Sequence, residues 1–186
     1  MEETSITSKI VVQNMPLTIA IIGAESTGKS YLAKALATHY QGIAIPEYAR
    51  HFTQHYGTQV TTNDIIHCYH TQEDELQLQI QKRPSIILMD TEWIMAKIWN
   101  DDINGSRNAY FEKKIASQTF DFYLLCNNDV AFEEDPLRVN EHRREYFFNS
   151  YLDALVQSNQ NYKIISGKGE ARLLMAKNYC DDFFNQ

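Results

Sequence analysis

The most informative segment of the chain reads Gly23-Ala24-Glu25-Ser26-Thr27-Gly28-Lys29-Ser30. It satisfies the pattern G-x-x-x-x-G-K-[ST], in which a glycine loop joins a strand to a helix. Residues 17–22 before it are an apolar, β-branched run typical of a buried strand, and helix-forming residues fill 29–40 after it. Because a strand and a helix flank the segment, we interpret it as a phosphate-binding loop (P-loop) rather than a chance match.

Each part of this loop has a role in binding a nucleotide. The glycines let successive backbone N–H groups surround phosphate oxygens, and the N-terminus of the next helix adds positive potential. Lys29 would reach the β- and γ-phosphates, and the Ser30 hydroxyl would bind Mg²⁺. We therefore predict nucleotide binding by residues 23–31, which include Tyr31.

Strands and helices alternate along the rest of the chain. Apolar runs predict further strands at 43–45, 86–89, 122–126 and 162–165. A polar helix is predicted from Thr61, which is spaced from Asp64 as in a capping box. Further helical patterns lie at about 92–100, 107–118, 140–158 and 169–183. This order predicts an α/β fold with three layers, in which a mainly parallel five-stranded sheet has helices on both faces and ligands at the carboxyl ends of its strands.

Length and charge limit the class of protein. With 186 residues and 44% hydrophobic content, the chain can bury a core as one domain, predicted at 15–186 after a short disordered lead at 1–14. The formal net charge of −7 argues against binding nucleic acid or an anionic membrane, because both favour a basic face. The apolar runs are far shorter than the roughly 20 residues that span a bilayer. The sequence leaves homo-oligomerisation open.

The three cysteines give no sign of a disulfide framework or a zinc site. Cys68, Cys126 and Cys180 are far apart and form no C-x-x-C pair. The segment 1–14 is polar and lacks the order of charges and apolar residues found in a signal peptide. These features predict a cytoplasmic protein.

Two carboxylates follow predicted strands at the same sheet edge. Asp90 closes the run at 86–89 and can hold Mg²⁺ beside Ser30, although it could instead cap the helix that begins near Glu92. We favour the metal role because of the loop. Glu47 follows Pro46 and the second strand, where a carboxylate could accept a proton from an alcohol that receives a phosphoryl group. A helix N-terminal glutamate paired with Arg50 is an equal alternative.

Basic residues after the fourth strand suggest a mobile lid. Arg138 and Arg143 could stabilise charge on a transferring phosphoryl group. The alternative is a solvated helix face on which arginines pair with nearby glutamates, and for Arg144 we favour this alternative. The loop at 167–169, Gly167-Lys168-Gly169, could pass close to an adenine ring or form an ordinary turn. Trp93, Trp99 and Tyr110 are expected in the core.

Together these segments resemble the ribosylnicotinamide kinase domain of NadR-type proteins and related small AAA-type ATPase and kinase domains. The resemblance covers nearly everything after residue 15. It is carried by the P-loop, Pro-Glu-Tyr-Ala-Arg at 46–50, Asp-Thr-Glu at 90–92 with Lys97 and Trp99, Phe-Asp-Phe-Tyr-Leu-Leu-Cys at 120–126, Asp-Pro-Leu-Arg at 135–138, and Gly-Lys-Gly-Glu-Ala-Arg at 167–172.

The resemblance implies a P-loop kinase fold, with ATP and Mg²⁺, that phosphorylates the 5′-hydroxyl of ribosylnicotinamide to give nicotinamide mononucleotide in NAD salvage. It also favours Glu47 as the base, because related nucleoside kinases carry a catalytic carboxylate after the second strand. Phe132 stands where the family has Trp, and its face could stack on a pyridinium ring. We assign catalysis to Lys29, Glu47, Asp90, Arg138 and Arg143. We assign substrate binding to Glu47, Tyr48, Arg50, Asp90, Phe132 and Asp135.

The sequence bears on three other functions. A regulatory GTPase is disfavoured because Asn127-Asn128-Asp129 lacks the lysine of the guanine-reading N-K-x-D pattern. A kinase for another nucleoside or small alcohol remains an alternative, since no residue identifies nicotinamide by itself. An ATPase module without a small-molecule acceptor is the third, although 186 residues leave little room for auxiliary elements.

Overall fold

Five parallel strands form one sheet in the order β2-β3-β1-β4-β5. The computed structural model describes residues 15–105 and 107–184, so the predicted disordered lead at 1–14 lies outside the described residues. The strands are β1 (Leu17–Gly23), β2 (Ile43–Ile45), β3 (Ile86–Asp90), β4 (Phe122–Cys126) and β5 (Tyr162–Ile165). All five strands predicted from the sequence are confirmed. The crossover order brings the ends of β1, β2, β3 and β4 to one edge.

Helices connect successive strands. They are α1 (Lys29–His39), α2 (Tyr48–Tyr56), α3 (Thr62–Gln81), α4 (Trp93–Asn104), α5 (Ala109–Ser117), α6 (Arg144–Gln157) and α7 (Gly169–Phe184), with a 3-10 turn at Glu141–Arg143 before α6. The predicted capping box is confirmed: the Asp64 N–H donates to Thr61 Oγ1, while Asp64 Oδ2 accepts from the Thr61 N–H. Helix α2, which begins directly after Glu47, was not predicted from the sequence.

The alternation of side chains along the strands builds a core on each face of the sheet. Ile19 and Ile21 of β1 pack with buried residues of α1 and α7, while Ala20 and Ile22 pack with residues of α3, α4 and α6. Since successive side chains on a strand point to opposite faces, a strand covered on both sides must be apolar throughout. This is why β1, β3 and β4 read as continuous apolar runs. The three-layer α/β fold is confirmed.

A third cluster lies beside the sheet edge that carries the loops. It joins α2, α3, α4 and α5 through buried residues that include Ala49, Tyr69, Trp93 and Phe111. The cluster holds α2 against α3 and so fixes the segment that follows β2. Within 15–105 and 107–184, every helix is too short or too polar to cross a membrane.

Candidate active site

The carboxyl ends of the strands open into a cavity of about 1510 Å³. The P-loop forms one wall, and the segments after β2 and β3 form a second. The third wall is an irregular stretch between β4 and the 3-10 turn, residues 130–140, which we call the lid segment. The cavity therefore lies where a parallel sheet is expected to bind its ligand.

The backbone of the P-loop has the shape that its glycines predict. Gly23 has φ +150°, and a Cβ there would lie 2.9 Å from the carbonyl oxygen of Cys126 on β4, so a larger residue does not fit. Gly28 has φ +81° and is the N-cap of α1, with no side chain to bond the first N–H groups of that helix. Those N–H groups and Lys29 face the cavity that the loop encloses, which suits an anionic ligand.

Hydrogen bonds inside the loop keep it closed. The Thr27 hydroxyl donates to the carbonyl oxygen of Ala24 at 2.8 Å, and the Lys29 ammonium donates to the same oxygen at 3.0 Å. Both side chains therefore donate a hydrogen bond to the same carbonyl oxygen of the loop. Ala24 itself is buried and does not line the cavity.

Asp90 and Ser30 lie together at the cavity floor. The Ser30 hydroxyl donates to Asp90 Oδ2 at 2.5 Å, and Asp90 is only 1% exposed. The other oxygen, Oδ1, is buried without a hydrogen-bond partner in the described chain. Burial raises the pKa of Asp90, opposed by Lys29 and by the hydrogen bond from Ser30. Helix α4 is capped instead by Glu92, whose carboxylate accepts from the Ile94 N–H, so the capping role considered for Asp90 is wrong.

Glu47 lines the same cavity. It is the N-cap residue of α2, yet its side chain makes no capping hydrogen bond. Burial and then the negative charge of Asp90 raise the pKa of Glu47 to about 7, although Lys29 and Arg50 oppose the shift. A carboxyl group with a pKa near neutrality is suited to accept and release a proton.

The lid segment is docked onto the P-loop. The Ser26 hydroxyl accepts from the Glu133 N–H at 2.8 Å and from the Arg138 guanidinium at 3.3 Å. Glu25 accepts from both the backbone N–H and the side-chain amide of Asn140 at 3.0 Å. Two variable positions of the P-loop thus hold the lid segment against the loop, and Arg138 lies beside the loop.

Two further arginines form ion pairs across the cavity. Arg50 of α2 pairs with Asp135 of the lid segment, and Asp135 also accepts from the Leu137 N–H. Arg143 forms a two-point ion pair with Asp102 on α4, and its guanidinium lies 5.0 Å from the centre of the Phe147 ring. Both pairs link the lid side of the cavity to helices on the opposite side.

Arg144 differs from its expected setting. The solvated-face interpretation is wrong for this residue: its guanidinium donates to the carbonyl oxygens of Val130 at 3.0 Å and of Ser26 at 3.4 Å. It also lies 5.9 Å from the centre of the Phe132 ring. Arg144 therefore ties the start of the lid segment to the P-loop.

Arg172 is a buried arginine that the sequence analysis did not assign to the site. It donates to the carbonyl oxygens of Thr27, Asn127 and Gly167 at 2.6, 3.0 and 2.8 Å, and it pairs with Asp129. The P-loop and the loop after β5 are thereby fixed to each other. The motif that ends in this arginine was visible in the sequence, but its contacts depend on the fold.

The predicted site residues fall into two groups. Those that line the cavity are Gly23, Glu25, Ser26, Thr27, Gly28, Lys29, Ser30, Tyr31, Glu47, Arg50, Asp90, Arg138, Arg143, Lys168 and Gly169. Among the described residues, those predicted for the site but placed outside the lining are Ala24, Tyr48, Phe132, Asp135 and Gly167. Tyr48 packs beside His51 and His67, and Phe132 faces Arg144.

Part of the cavity lining consists of aromatic side chains and one carboxylate that were not predicted for the site from the sequence. Its lining includes Tyr69, Trp99, Asp102, Phe147 and Tyr151. Trp99 was expected in the core; it packs against the third cluster but also borders the cavity. These residues lie on α3, α4 and α6, so only the packing of three helices brings them together.

Comparison with known proteins gives a consistent picture. A family model described as an AAA domain matches residues 18–172. Two curated relatives, the Trifunctional NAD biosynthesis/regulator protein NadR of Salmonella typhimurium (strain LT2) and that of Escherichia coli (strain K12), are each 26% identical over 150 residues. The alignment covers 76% of this chain and 36% of each relative, so the chain spans about a third of the length of the relatives it matches.

Solved structures share the fold. A NadR protein in complex with NR superimposes with a TM-score of 0.73 at 17% identity, over 92% of this chain and 50% of that one. A NadR protein in complex with NAD and AMP-PNP gives 0.75 at 18% identity over the same shares. Deoxyadenosine kinase from M. mycoides gives 0.64 at 15% identity, over 89% of this chain and all of that one.

Proposed function

The chain belongs to the AAA domain family, and from that premise we propose that it is an ATP-dependent kinase acting on the 5′-hydroxyl of ribosylnicotinamide. The product would be nicotinamide mononucleotide, and the reaction would serve NAD salvage. The observation that carries the proposal is the single cavity in which the P-loop, Asp90 and Glu47 meet a wall of aromatic side chains. The NadR names of the relatives support the choice of acceptor.

The chemistry of the cavity suits phosphoryl transfer to an alcohol. The acceptor oxygen would attack the γ-phosphorus, and the bond between that phosphorus and the oxygen shared with the β-phosphorus would break, which releases ADP. The hydroxyl proton of the acceptor would pass to Glu47. Lys29 of the P-loop and Arg138, which bonds Ser26 of that loop, would stabilise the charge on the transferring group. The lid segment would exclude water, so that the acceptor rather than water reacts.

The aromatic part of the cavity lining suits a cationic ring. Trp99 and Tyr151 supply aromatic faces, whereas Asp102 is already ion-paired with Arg143 and the Phe147 ring lies beside the same guanidinium. A cation is attracted to aromatic faces and to negative charge, and a pyridinium ring offers both a positive charge and a flat surface. The same rings would stack on an uncharged base, which keeps another nucleoside as the second candidate.

The residues beside Lys29 fit a magnesium ion. Ser30 Oγ and the unpaired, buried Asp90 Oδ1 are hard oxygen ligands of the type that Mg²⁺ prefers. The bound ion would supply positive charge to the β- and γ-phosphates.

The magnesium role predicts the effect of changing Asp90. Asp90→Asn keeps size and hydrogen bonding but removes the charge, so the free Mg²⁺ concentration for half-maximal rate should rise on the order of tenfold. The measurement is a Mg²⁺ titration at fixed ATP, with Asp153→Asn on the exposed side of α6 as the matched control. An unchanged Mg²⁺ dependence in a folded Asp90→Asn protein would remove Asp90 from the metal site.

The acceptor is tested by comparing nucleosides. We expect kcat/KM for ribosylnicotinamide to exceed those for adenosine, uridine, cytidine and thymidine by at least about tenfold, or ~1.4 kcal/mol in transition-state binding. The measurement couples ADP formation to identification of the phosphorylated product. A common nucleoside that is preferred over ribosylnicotinamide would retain the kinase and discard the NAD role. ADP formation without a phosphorylated nucleoside would favour an ATPase module.

A further inference from the structure

Gln72 is a buried polar residue that none of the functions above explains. It lies in the middle of α3 and is only 2% exposed. Polar side chains in such positions need hydrogen-bond partners, and a buried amide specifies its surroundings strongly when all partners are present. The partners of Gln72 come from the two segments that carry the candidate carboxylates of the active site.

The hydrogen bonds of Gln72 fix the orientation of its amide. Nε2 donates to the backbone carbonyl oxygen of Asp90 at 2.9 Å, and Oε1 accepts from the backbone N–H of Tyr48 at 3.2 Å. A carbonyl only accepts and an N–H only donates, so turning the amide over would oppose both contacts. Oε1 also accepts from the Thr91 hydroxyl at 3.3 Å.

On the α2 side, Gln72 accepts a hydrogen bond from the first N–H group of the helix. Tyr48 is the first residue of α2, and its N–H is one of the four that a helix leaves without an internal partner. The N-cap residue, Glu47, makes no side-chain capping bond. Gln72 thus binds the Tyr48 N–H from a neighbouring helix, and the Glu47 side chain, which makes no capping bond, belongs to a residue that lines the cavity.

On the β3 side, Gln72 braces a turn that has an unusual backbone. Thr91 has φ +74°, a left-handed conformation that is rare for a β-branched residue, and it is fully buried. Such conformations persist where the surroundings hold them, and they concentrate at functional sites. Here the turn is held by the Thr91 N–H bond to the Ile21 carbonyl at 3.1 Å and by Gln72.

We propose that Gln72 is a positioning residue that sets the distance between the Glu47 segment and the Asp90 segment for phosphoryl transfer. Gln72 does not itself line the cavity, and its hydrogen bonds go to the backbone of Asp90 and of Tyr48, the residue after Glu47, rather than to either carboxylate. Since both carboxylates must meet the same acceptor and nucleotide, an error of about 1 Å in their spacing should lower the rate by up to about 10²-fold. Only the expected change in reaction rate rests on the proposed kinase function.

The test replaces Gln72 by methionine, which has a similar length and no polar amide. We expect Gln72→Met to lower kcat by at least about tenfold while ATP affinity stays within about threefold, because the P-loop is untouched. Amide hydrogen exchange at Tyr48 should become at least about tenfold faster, since that N–H loses its partner. Gln77→Met, a matched change at an exposed position of the same helix, should leave all three quantities unchanged.

A second variant separates the two sides of the contact and covers the case in which Gln72→Met does not fold. Gln72→Glu keeps an oxygen for the Tyr48 N–H, and its carboxyl has no donor for the Asp90 carbonyl once it is ionised, so kcat should fall as the pH is raised and the new carboxyl ionises, while Tyr48 exchange stays slow. Folded variants with the kcat and Tyr48 exchange of the unmodified protein would overturn the proposal. If the unmodified protein phosphorylates no nucleoside, the proposed function fails, and Tyr48 exchange in Gln72→Met alone decides the role of Gln72.

Discussion

Replacing Lys29 by alanine is expected to lower the rate of phosphoryl transfer by about 10³-fold, or ~4 kcal/mol of transition-state stabilisation. Lys29 begins α1 and donates to the Ala24 carbonyl oxygen at 3.0 Å, so its ammonium is held inside the P-loop. The variant keeps the Thr27 bond to the same carbonyl, at 2.8 Å, and the loop should therefore remain closed. The loss should come from the missing positive charge rather than from unfolding.

The measurement is kcat for the preferred nucleoside together with thermal unfolding of the same sample. Lys113→Ala is the control, because Lys113 is an exposed lysine on α5 and lies outside the cavity lining. It should retain full activity. Near-normal transfer by folded Lys29→Ala would contradict the assignment of residues 23–30 as a catalytic phosphate loop.

The sheet could be predicted because its strands are buried on both faces. Nearly continuous apolar runs form β1, β3 and β4. The P-loop motif follows the first of these runs, which identifies that run as the strand before the loop. α2 was harder to predict. Its only buried residue is Ala49, and its N-cap residue makes no side-chain capping bond, so no capping signal marks where it begins.

The candidate site was predictable where a residue follows a strand directly. Glu47 and Asp90 lie at the carboxyl ends of β2 and β3, and parallel strands bring such ends to one edge. Side-chain direction was not predictable at the start of α6. Arg143 turns to Asp102 and Arg144 to Ser26, although the two are adjacent in sequence.

The aromatic part of the cavity lining and the Gln72 contacts also depend on tertiary structure. Trp99 was expected in the core because it is a large aromatic residue; it packs on the third cluster and also borders the cavity. Gln72 contacts residues 18 and 24 positions away in sequence. No local pattern records such contacts, since an isolated glutamine on a polar helix is usually exposed.

Changing Glu47 to glutamine is expected to lower kcat/KM for the acceptor by about 10²–10⁴-fold, the usual contribution of a general base. Glutamine has the size of glutamate and can still accept a hydrogen bond, but it takes up no proton. The N-terminus of α2 should be unaffected because Glu47 makes no side-chain capping bond there. Glu112→Gln, the same change at an exposed position on α5, should leave kcat/KM for the acceptor unchanged.

The pH dependence distinguishes a base from a residue that only binds the acceptor. Burial and the charge of Asp90 raise the pKa of Glu47 to about 7, so the carboxyl is protonated, and inactive as a base, as the pH falls below that value. The acceptor kcat/KM of the unmodified protein should therefore rise with pH through neutrality and level off above it. In Glu47→Gln this rise should disappear, because the group that titrates is gone, and the residual rate should be nearly flat from pH 6 to pH 8, a window of about one unit on either side of the midpoint. A profile that keeps the same rise in Glu47→Gln would assign the titration to another group and would leave Glu47 a binding residue.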